Sequence, residues 1–106
     1  MSKLEKALQT SRESAAKRGL SESAEVAESL HNIGRMNFLL RQFDTALTYY
    51  QEALAMHERL HGIDAPENAM TMQHLAATYR EKGDIAKAYV LLERASNISV
   101  PVDMMA

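Results

Sequence analysis

The sequence of this chain repeats itself with a period of 42 residues. The segment 30–34 aligns with 72–76, and the segment 43–46 aligns with 85–88. A fixed internal period of this size is the signature of a repeat array, in which each unit is one supersecondary element that stacks on the next. Because such arrays generally present surfaces to other molecules, the period favours a binding role over catalysis.

Helical spacing of apolar residues runs through nearly the whole chain, and no convincing segment alternates apolar and polar residues as a strand would. Gly19, Gly62 and Gly83 stand where helices are expected to end, and Pro66 stands in a first turn, where proline is tolerated. Ser21 and Ser23 are candidate caps of the second helix, and Asp64 is expected with Pro66 at the start of the fourth. We therefore predict an all-α chain of five helices, over residues 3–17, 24–40, 44–60, 66–82 and 85–97.

The period groups these helices into one domain that covers residues 1–106. Helix 24–40 pairs with helix 44–60 as repeat one, and helix 66–82 pairs with helix 85–97 as repeat two. Shifted by one period, the first helix falls on the second helix of repeat one, so that it counts as half a repeat. The prediction is an α-solenoid of about two and a half antiparallel hairpins, followed by a tail over residues 98–106.

Small residues and large apolar residues recur at matching positions of the two repeats. In repeat two these positions hold Leu75, Ala76, Tyr79, Gly83, Ile85, Ala88, Leu92 and Ala95, and repeat one offers Ile33, Gly34, Phe43, Ala46, Tyr50 and Ala53. This layout resembles the tetratricopeptide repeat, and the long period together with the connector 60–67 resembles the kinesin-light-chain subtype. The resemblance implies that Ala46 and Ala88 are buried between paired helices.

Two positions of repeat one depart from that family pattern. Asn37 stands where an aromatic residue is usual, and Arg41 stands where glycine is usual. Since a residue with a Cβ rarely adopts a positive φ, Arg41 predicts a turn that needs none.

Composition excludes several classes of function. The chain has no cysteine and a formal net charge of −2, so disulfides, thiolate metal sites and a general attraction to nucleic acid or anionic membranes are not expected. No apolar run approaches the roughly 20 residues that span a bilayer. The basic segment near the N-terminus contains Glu5 and Glu13, which mitochondrial presequences avoid. We predict an intracellular, cytoplasmic chain, with an organellar location left open.

The segment His57-Glu58-Arg59-Leu60-His61 matches the zinc-protease pattern H-E-x-x-H. A catalytic zinc site also needs a third protein ligand, and the histidine extension of one large protease group is absent after His61. The same residues are explained as the last turns of a helix that ends at Gly62. We therefore predict no catalytic residue, no metal site and no cofactor, and a protein that is not an enzyme.

Two surfaces are predicted to bind a partner protein. In the family, the first helix of each hairpin lines a concave face that takes an extended peptide or a helix, and Asn32 matches an asparagine that grips a peptide backbone in kinesin-light-chain-like repeats. Arg35 and Arg80 are suited to receive carboxylates. The predicted concave face comprises His31, Asn32, Arg35, Phe38, Leu39, Gln73, His74, Ala77 and Arg80.

The alternative surface is the open end of the array. The last helix is apolar around more than one side, and such faces usually mark an interface. In this interpretation the chain is a small structural subunit of a larger assembly or a homo-oligomer. The end-interface residues are Leu91, Leu92, Ile98, Met104 and Met105.

Overall fold

The computed structural model describes residues 3, 5, 6, 9 and 22–98 of the chain. Within residues 22–98 there are four helices and no strand: α1 (Ala24–Leu39), α2 (Phe43–His61), α3 (Pro66–Glu81) and α4 (Ile85–Ser96). The all-α prediction is confirmed, and the bounds of these four helices agree with it to within one residue. The expected count of five is not reached in this range, because helix 3–17 lies almost wholly outside the described residues. The tail from residue 99 onward also lies outside them.

The helices form two hairpins that pack side by side. α1 packs against α2, α3 packs against α4, and α2 contacts α3 to join the hairpins. Ala46 and Ala88 are both buried, as the repeat pattern predicts. Gly34 allows α1 to approach the Tyr50 side chain of α2 closely, since a Cβ at this position would lie 2.8 Å from Cδ1 of Tyr50. The small residues of the repeat therefore set how near paired helices come.

The buried apolar residues form two clusters. The larger cluster joins α2 to α3 and α4, and Tyr50, Met72 and Leu75 are among its most buried members. The smaller cluster lies between α1 and α2 and includes Leu30 and Met56. Because the larger cluster crosses from one hairpin to the next, the two repeats are joined by a shared core.

The helix starts follow the capping expectations with one exception. The Ser23 hydroxyl accepts a hydrogen bond from the backbone N–H of Val26 (3.2 Å), which satisfies one of the free donors of the first turn of α1. In α3 the N-cap is Ala65, with Pro66 in the first turn, and no side chain caps this helix. The expectation that Asp64 starts α3 is therefore wrong by one position.

The turn after α1 overturns the prediction made for Arg41. Arg41 has a φ of 60°, in the left-handed region, just as Gly83 has a φ of 88° after α3. The turn is kept because the N–H of Gln42 donates to the carbonyl oxygen of Asn37 (2.8 Å), which closes the helix end. The Arg41 guanidinium also lies 5.2 Å from the centre of the Phe43 ring. These contacts offset the steric cost that a Cβ brings to this conformation.

The connector between the repeats is held by a residue that the sequence pattern does not single out. Asn68 is fully buried, and its Nδ2 donates to the carbonyl oxygens of Gly62 (2.7 Å) and Ile63 (2.8 Å). These bonds fix the end of α2 relative to the first turn of α3. Across residues 22–98, no helix combines the length and the apolar character needed to cross a membrane.

Candidate protein-binding groove

A groove of about 430 Å³ lies between α1, the end of α2 and the first half of α3. All four histidines of the chain line it. We call it the histidine groove; its lining residues are Ala24, Glu28, His31, Asn32, Arg35, His57, His61, Glu67, Met70, Thr71 and His74.

Aromatic contacts build the middle of the histidine groove. The rings of His31 and His74 meet edge to face, with centres 4.7 Å apart. Both rings rest on Tyr50, which is fully buried and whose ring centre is 5.3 Å from that of His31 and 5.7 Å from that of His74. Gly34 makes room for the Tyr50 ring. The two rings by which α1 and α3 meet here are therefore both supported by a residue of α2 that the concave-face prediction does not include.

His31 is held neutral at physiological pH. Burial lowers its pKa to about 4, with further lowering from the charges of His74, His57 and Arg35. Its Nδ1 lies 3.3 Å from Oγ1 of Thr71, and that hydroxyl also lies 3.3 Å from the carbonyl oxygen of Glu67. Since the hydroxyl donates to the carbonyl, we infer that it accepts from Nδ1–H of His31. Nε2 of His31 is then left as an acceptor.

The histidine pair of the H-E-x-x-H segment lies at one end of the groove. The rings of His57 and His61 stack with their centres 5.7 Å apart. Burial lowers the pKa of His57, His61 lowers it further, and Glu67 and Glu28 oppose the shift. Nδ1 of His57 is buried with no hydrogen-bond partner. In the part of the chain that the structure describes, no three His, Cys, Asp or Glu side chains are grouped so as to hold a metal ion.

The charges on the groove wall are few and mixed. Arg35 is exposed on α1, with Glu28 on the same helix and Glu67 at the start of α3. Burial lowers the pKa of His74, as does the charge of Arg35. With the buried histidines neutral, this wall carries no strong excess of either sign near pH 7.

The structure brings together four of the nine residues predicted for the concave face. His31, Asn32, Arg35 and His74 line the histidine groove. Phe38 instead packs against the larger core cluster and meets the Phe43 ring edge to face at 5.5 Å. The remaining four lie outside the groove, with Ala77 half-buried and the others exposed: Leu39, Gln73, Ala77 and Arg80.

Sequence reasoning missed the groove residues of α2 and of the first turns of α3. The sequence analysis considered His57 and His61 only as possible metal ligands. Their position at the end of α2 places them in the groove beside α1. Glu67 and Thr71 follow the connector, and periodicity alone does not indicate which wall they join. His57 and His61 fall in the last turns of α2, whereas His31 and His74 lie near the middle of α1 and α3, so helix position alone does not group the four histidines.

The residues predicted for the open end have different surroundings. Ile98 is buried in the larger core cluster, and Leu91 is half-buried against the same cluster. Leu92 is exposed on α4. Met104 and Met105 lie outside the described residues.

Comparison with known proteins agrees with this architecture. A family model described as tetratricopeptide repeat matches residues 25–99. The chain belongs to the tetratricopeptide-repeat family. Repeats of this family serve as protein–protein interaction modules, and that general role applies to this chain. The closer likeness to kinesin light chains stays a prediction.

Two curated relatives are similar to this tetratricopeptide-repeat chain. A clustered mitochondria protein homolog from Danio rerio is 31% identical over 78 residues, which is 74% of this chain and 6% of the relative. A clustered mitochondria protein homolog from Xenopus tropicalis is 28% identical over 71 residues, which is 67% of this chain and 6% of the relative. The chain therefore spans only a small part of the length of these relatives.

Proposed function

We propose that the histidine groove binds an extended peptide or a helix from a partner protein. One observation carries this proposal: four residues predicted independently from the repeat pattern, His31, Asn32, Arg35 and His74, line the same groove. The lining combines residues of α1, α2 and α3, so a partner segment seated in the groove would contact three helices.

The proposed contacts use the hydrogen-bonding groups of the wall. The half-buried amide of Asn32 can both donate to a peptide carbonyl and accept from a peptide N–H. Nε2 of His31, left as an acceptor by the contact with Thr71, can take a second N–H. Arg35 is exposed and can pair with a carboxylate of the ligand.

The balance of charge indicates what kind of segment fits. Glu28 and Glu67 oppose Arg35, and the buried histidines are neutral near pH 7. Recognition through hydrogen bonds and ring contacts is therefore favoured over recognition by net charge. Binding is expected to depend only weakly on salt, because one exposed cation contributes little at physiological ionic strength.

A quantitative affinity capture from native extract tests this proposal. The unaltered chain is compared with Asn32→Ala/Arg35→Ala and with the control Gln73→Ala/Arg80→Ala, which removes one amide and one guanidinium from outside the groove. The groove variant is expected to lose a partner that the control variant retains, while both keep the far-ultraviolet circular dichroism of the parent. A groove variant that retains every partner captured by the parent would contradict the proposal.

A second candidate function rests on a separate observation. α4 exposes large apolar residues, among them Ile85, Tyr89 and Val90. Such a surface fits a structural subunit held in a larger assembly through its open end. In that case the captured proteins would stay bound to the groove variant in fixed ratio and would be lost on Leu92→Lys.

The compartment also stays a prediction. The sequence predicts a cytoplasmic location, and the two relatives carry a name that refers to clustered mitochondria. We propose a cytoplasmic protein that works near mitochondria. Imaging of the tagged chain beside a mitochondrial marker tests this, because signal inside the matrix would contradict it.

A further inference from the structure

The 42-residue period allows the two second helices to be compared position by position. On α2, Leu47, Tyr50 and Leu54 are 8%, 0% and 7% exposed. The positions one period later on α4 are Tyr89, Leu92 and Ser96. Tyr89 is 68% exposed, Leu92 is 44% exposed and Ser96 is also exposed. The same stripe is therefore covered on α2 and open on α4.

The element that covers the stripe on α2 is α3. Ala69, Met72 and Leu75 of α3 belong to the same buried cluster as Leu47, Tyr50 and Leu54. On the α1 side, His31 contacts α3 through Thr71 and His74. Within this chain, a surface of this kind therefore takes one helix, which is seated between the two helices of the preceding hairpin.

The corresponding surface of repeat two can be defined residue by residue. One period after His31, Arg35 and Phe38 stand Gln73, Ala77 and Arg80. Together with the open stripe of α4 and with Ile85, which stands one period after Phe43 and is exposed, they form what we call the end face: Gln73, Ala77, Arg80, Ile85, Tyr89, Leu92 and Ser96. Three of these residues were expected on the concave face, and the structure leaves them outside the histidine groove.

We infer that the end face binds one amphipathic helix of a partner protein, with an apolar stripe like that of α3. The chemistry of α3 specifies the occupant: small and apolar residues at the spacing of Ala69, Met72, Leu75 and Ala76, all of which are buried. This surface is distinct from the histidine groove, and the inference does not depend on the function proposed for that groove.

Charge adds a second requirement to the occupant. At the last turn of α3, Glu81 pairs with Arg41 of repeat one at 3.8 Å. The position one period after Arg41 is Gly83, so repeat two lacks that cation. The position one period after Phe38 is Arg80, which supplies a cation to the end face instead. The occupant is thus expected to carry an acidic residue at its last turn, next to Arg80.

A second copy of the chain fits this surface less well. The buried residues of α1, α2 and α3 already occupy the cores between and within the hairpins. Among the four described helices, α4 alone has several large apolar residues exposed along one stripe, and that stripe is the end face itself. From its four described helices a copy could therefore offer only another α4, which presents Ile85, Tyr89 and Leu92 where α3 presents Ala69, Met72 and Leu75.

The test is a titration of the isotope-labelled chain with a peptide of the α3 sequence, followed by amide chemical shifts. The peptide spans the sequence of residues 66–81, is acetylated and amidated, and is locked as a helix by a lactam between Gln73→Lys and Ala77→Glu, both outside the buried stripe. We expect saturable shifts around Tyr89, Leu92 and Arg80. The control peptide carries Met72→Ser and Leu75→Ser, and it should bind at least tenfold more weakly.

Variants of the chain test whether the peptide binds at the end face. Leu92→Lys should lower the affinity of the chain for the peptide by tenfold or more, whereas Asn32→Ala/Arg35→Ala should leave that affinity unchanged. Shifts confined to His31 and Asn32, or no shift with the locked peptide at millimolar concentration, would overturn the inference. So would binding that appears only after residues 99–106 are removed, because the chain would then cover its own end face. A dimer in sedimentation that Leu92→Lys dissociates would assign the face to a second copy instead.

Discussion

At the scale of single residues, the contact between Gly34 and Tyr50 has the greatest influence on the groove. Tyr50 is fully buried, and it supports the rings of His31 and His74. A Cβ on Gly34 would lie 2.8 Å from Cδ1 and 2.9 Å from Cε1 of that ring. Because the ring also contacts both histidines, a shift of the ring would disturb the groove.

Gly34→Ala is therefore expected to destabilise the protein even though alanine is the better helix former. Overpacking costs about 1–3 kcal/mol, and the gain in helix propensity returns about 1 kcal/mol. The net loss should be on the order of 1 kcal/mol in urea unfolding. In the background of Tyr50→Leu the same substitution should be neutral or stabilising. Equal losses in both backgrounds would show that the clash does not set the cost.

At the scale of elements, the turn after α1 shows what a repeat tolerates. Arg41 adopts a φ of 60°, where repeat two has Gly83. Its side chain contributes a contact with Phe43 and an exposed pair with Glu81. The cost of the backbone and the gain from the side chain are of similar size, so the two must be measured separately.

Two substitutions at Arg41 separate these contributions. Arg41→Ala removes the side-chain contacts and keeps a Cβ in the left-handed region. Arg41→Gly removes the side-chain contacts and the Cβ as well. The glycine variant should be more stable than the alanine variant by about 1 kcal/mol, measured by urea unfolding. Equal stability of the two variants would mean that the turn carries no backbone strain.

The comparison of sequence and structure is also clearest at this scale. Apolar spacing and glycine positions were enough to predict α1 to α4 to within one residue, because these signals are local. The φ of Arg41 was predicted wrongly, because hydrogen bonds of the turn outweighed the preference of the residue. His57 was missed as a groove residue because its position depends on how the hairpins pack. Asn68 was missed because its role is in the connector, which has no periodicity.

At the scale of the whole molecule, the histidine groove links stability to pH. The pKa of His31 is lowered to about 4, and burial also lowers the pKa values of His57 and His74. In the unfolded chain a histidine titrates near 6.5. Between pH 4 and pH 6.5 the folded state therefore binds fewer protons than the unfolded state. The free energy of unfolding must then fall as the pH falls through 6.5 toward 4.

Urea unfolding at pH 7, 6 and 5 measures this effect. The midpoint should decrease over this window, and His31→Gln/His74→Gln should flatten the decrease, because glutamine cannot be protonated. The window stays above the range in which Glu22 titrates, whose pKa the hydrogen bond from Arg59 lowers. A midpoint that does not change from pH 7 to 5 would show that the groove histidines are solvated in the folded protein.

Site-specific photo-crosslinking tests whether a partner protein lies in the histidine groove. Met70 lines the groove, and Met36 is a similarly exposed methionine on α1 outside it. A photoreactive residue is placed at either position in turn, and the chain is irradiated in native extract. We expect a crosslinked partner from position 70 and none from position 36, with the crosslink at 70 lost in the Asn32→Ala/Arg35→Ala background. A partner crosslinked from position 36 alone, or one insensitive to the double substitution, would contradict binding in the histidine groove.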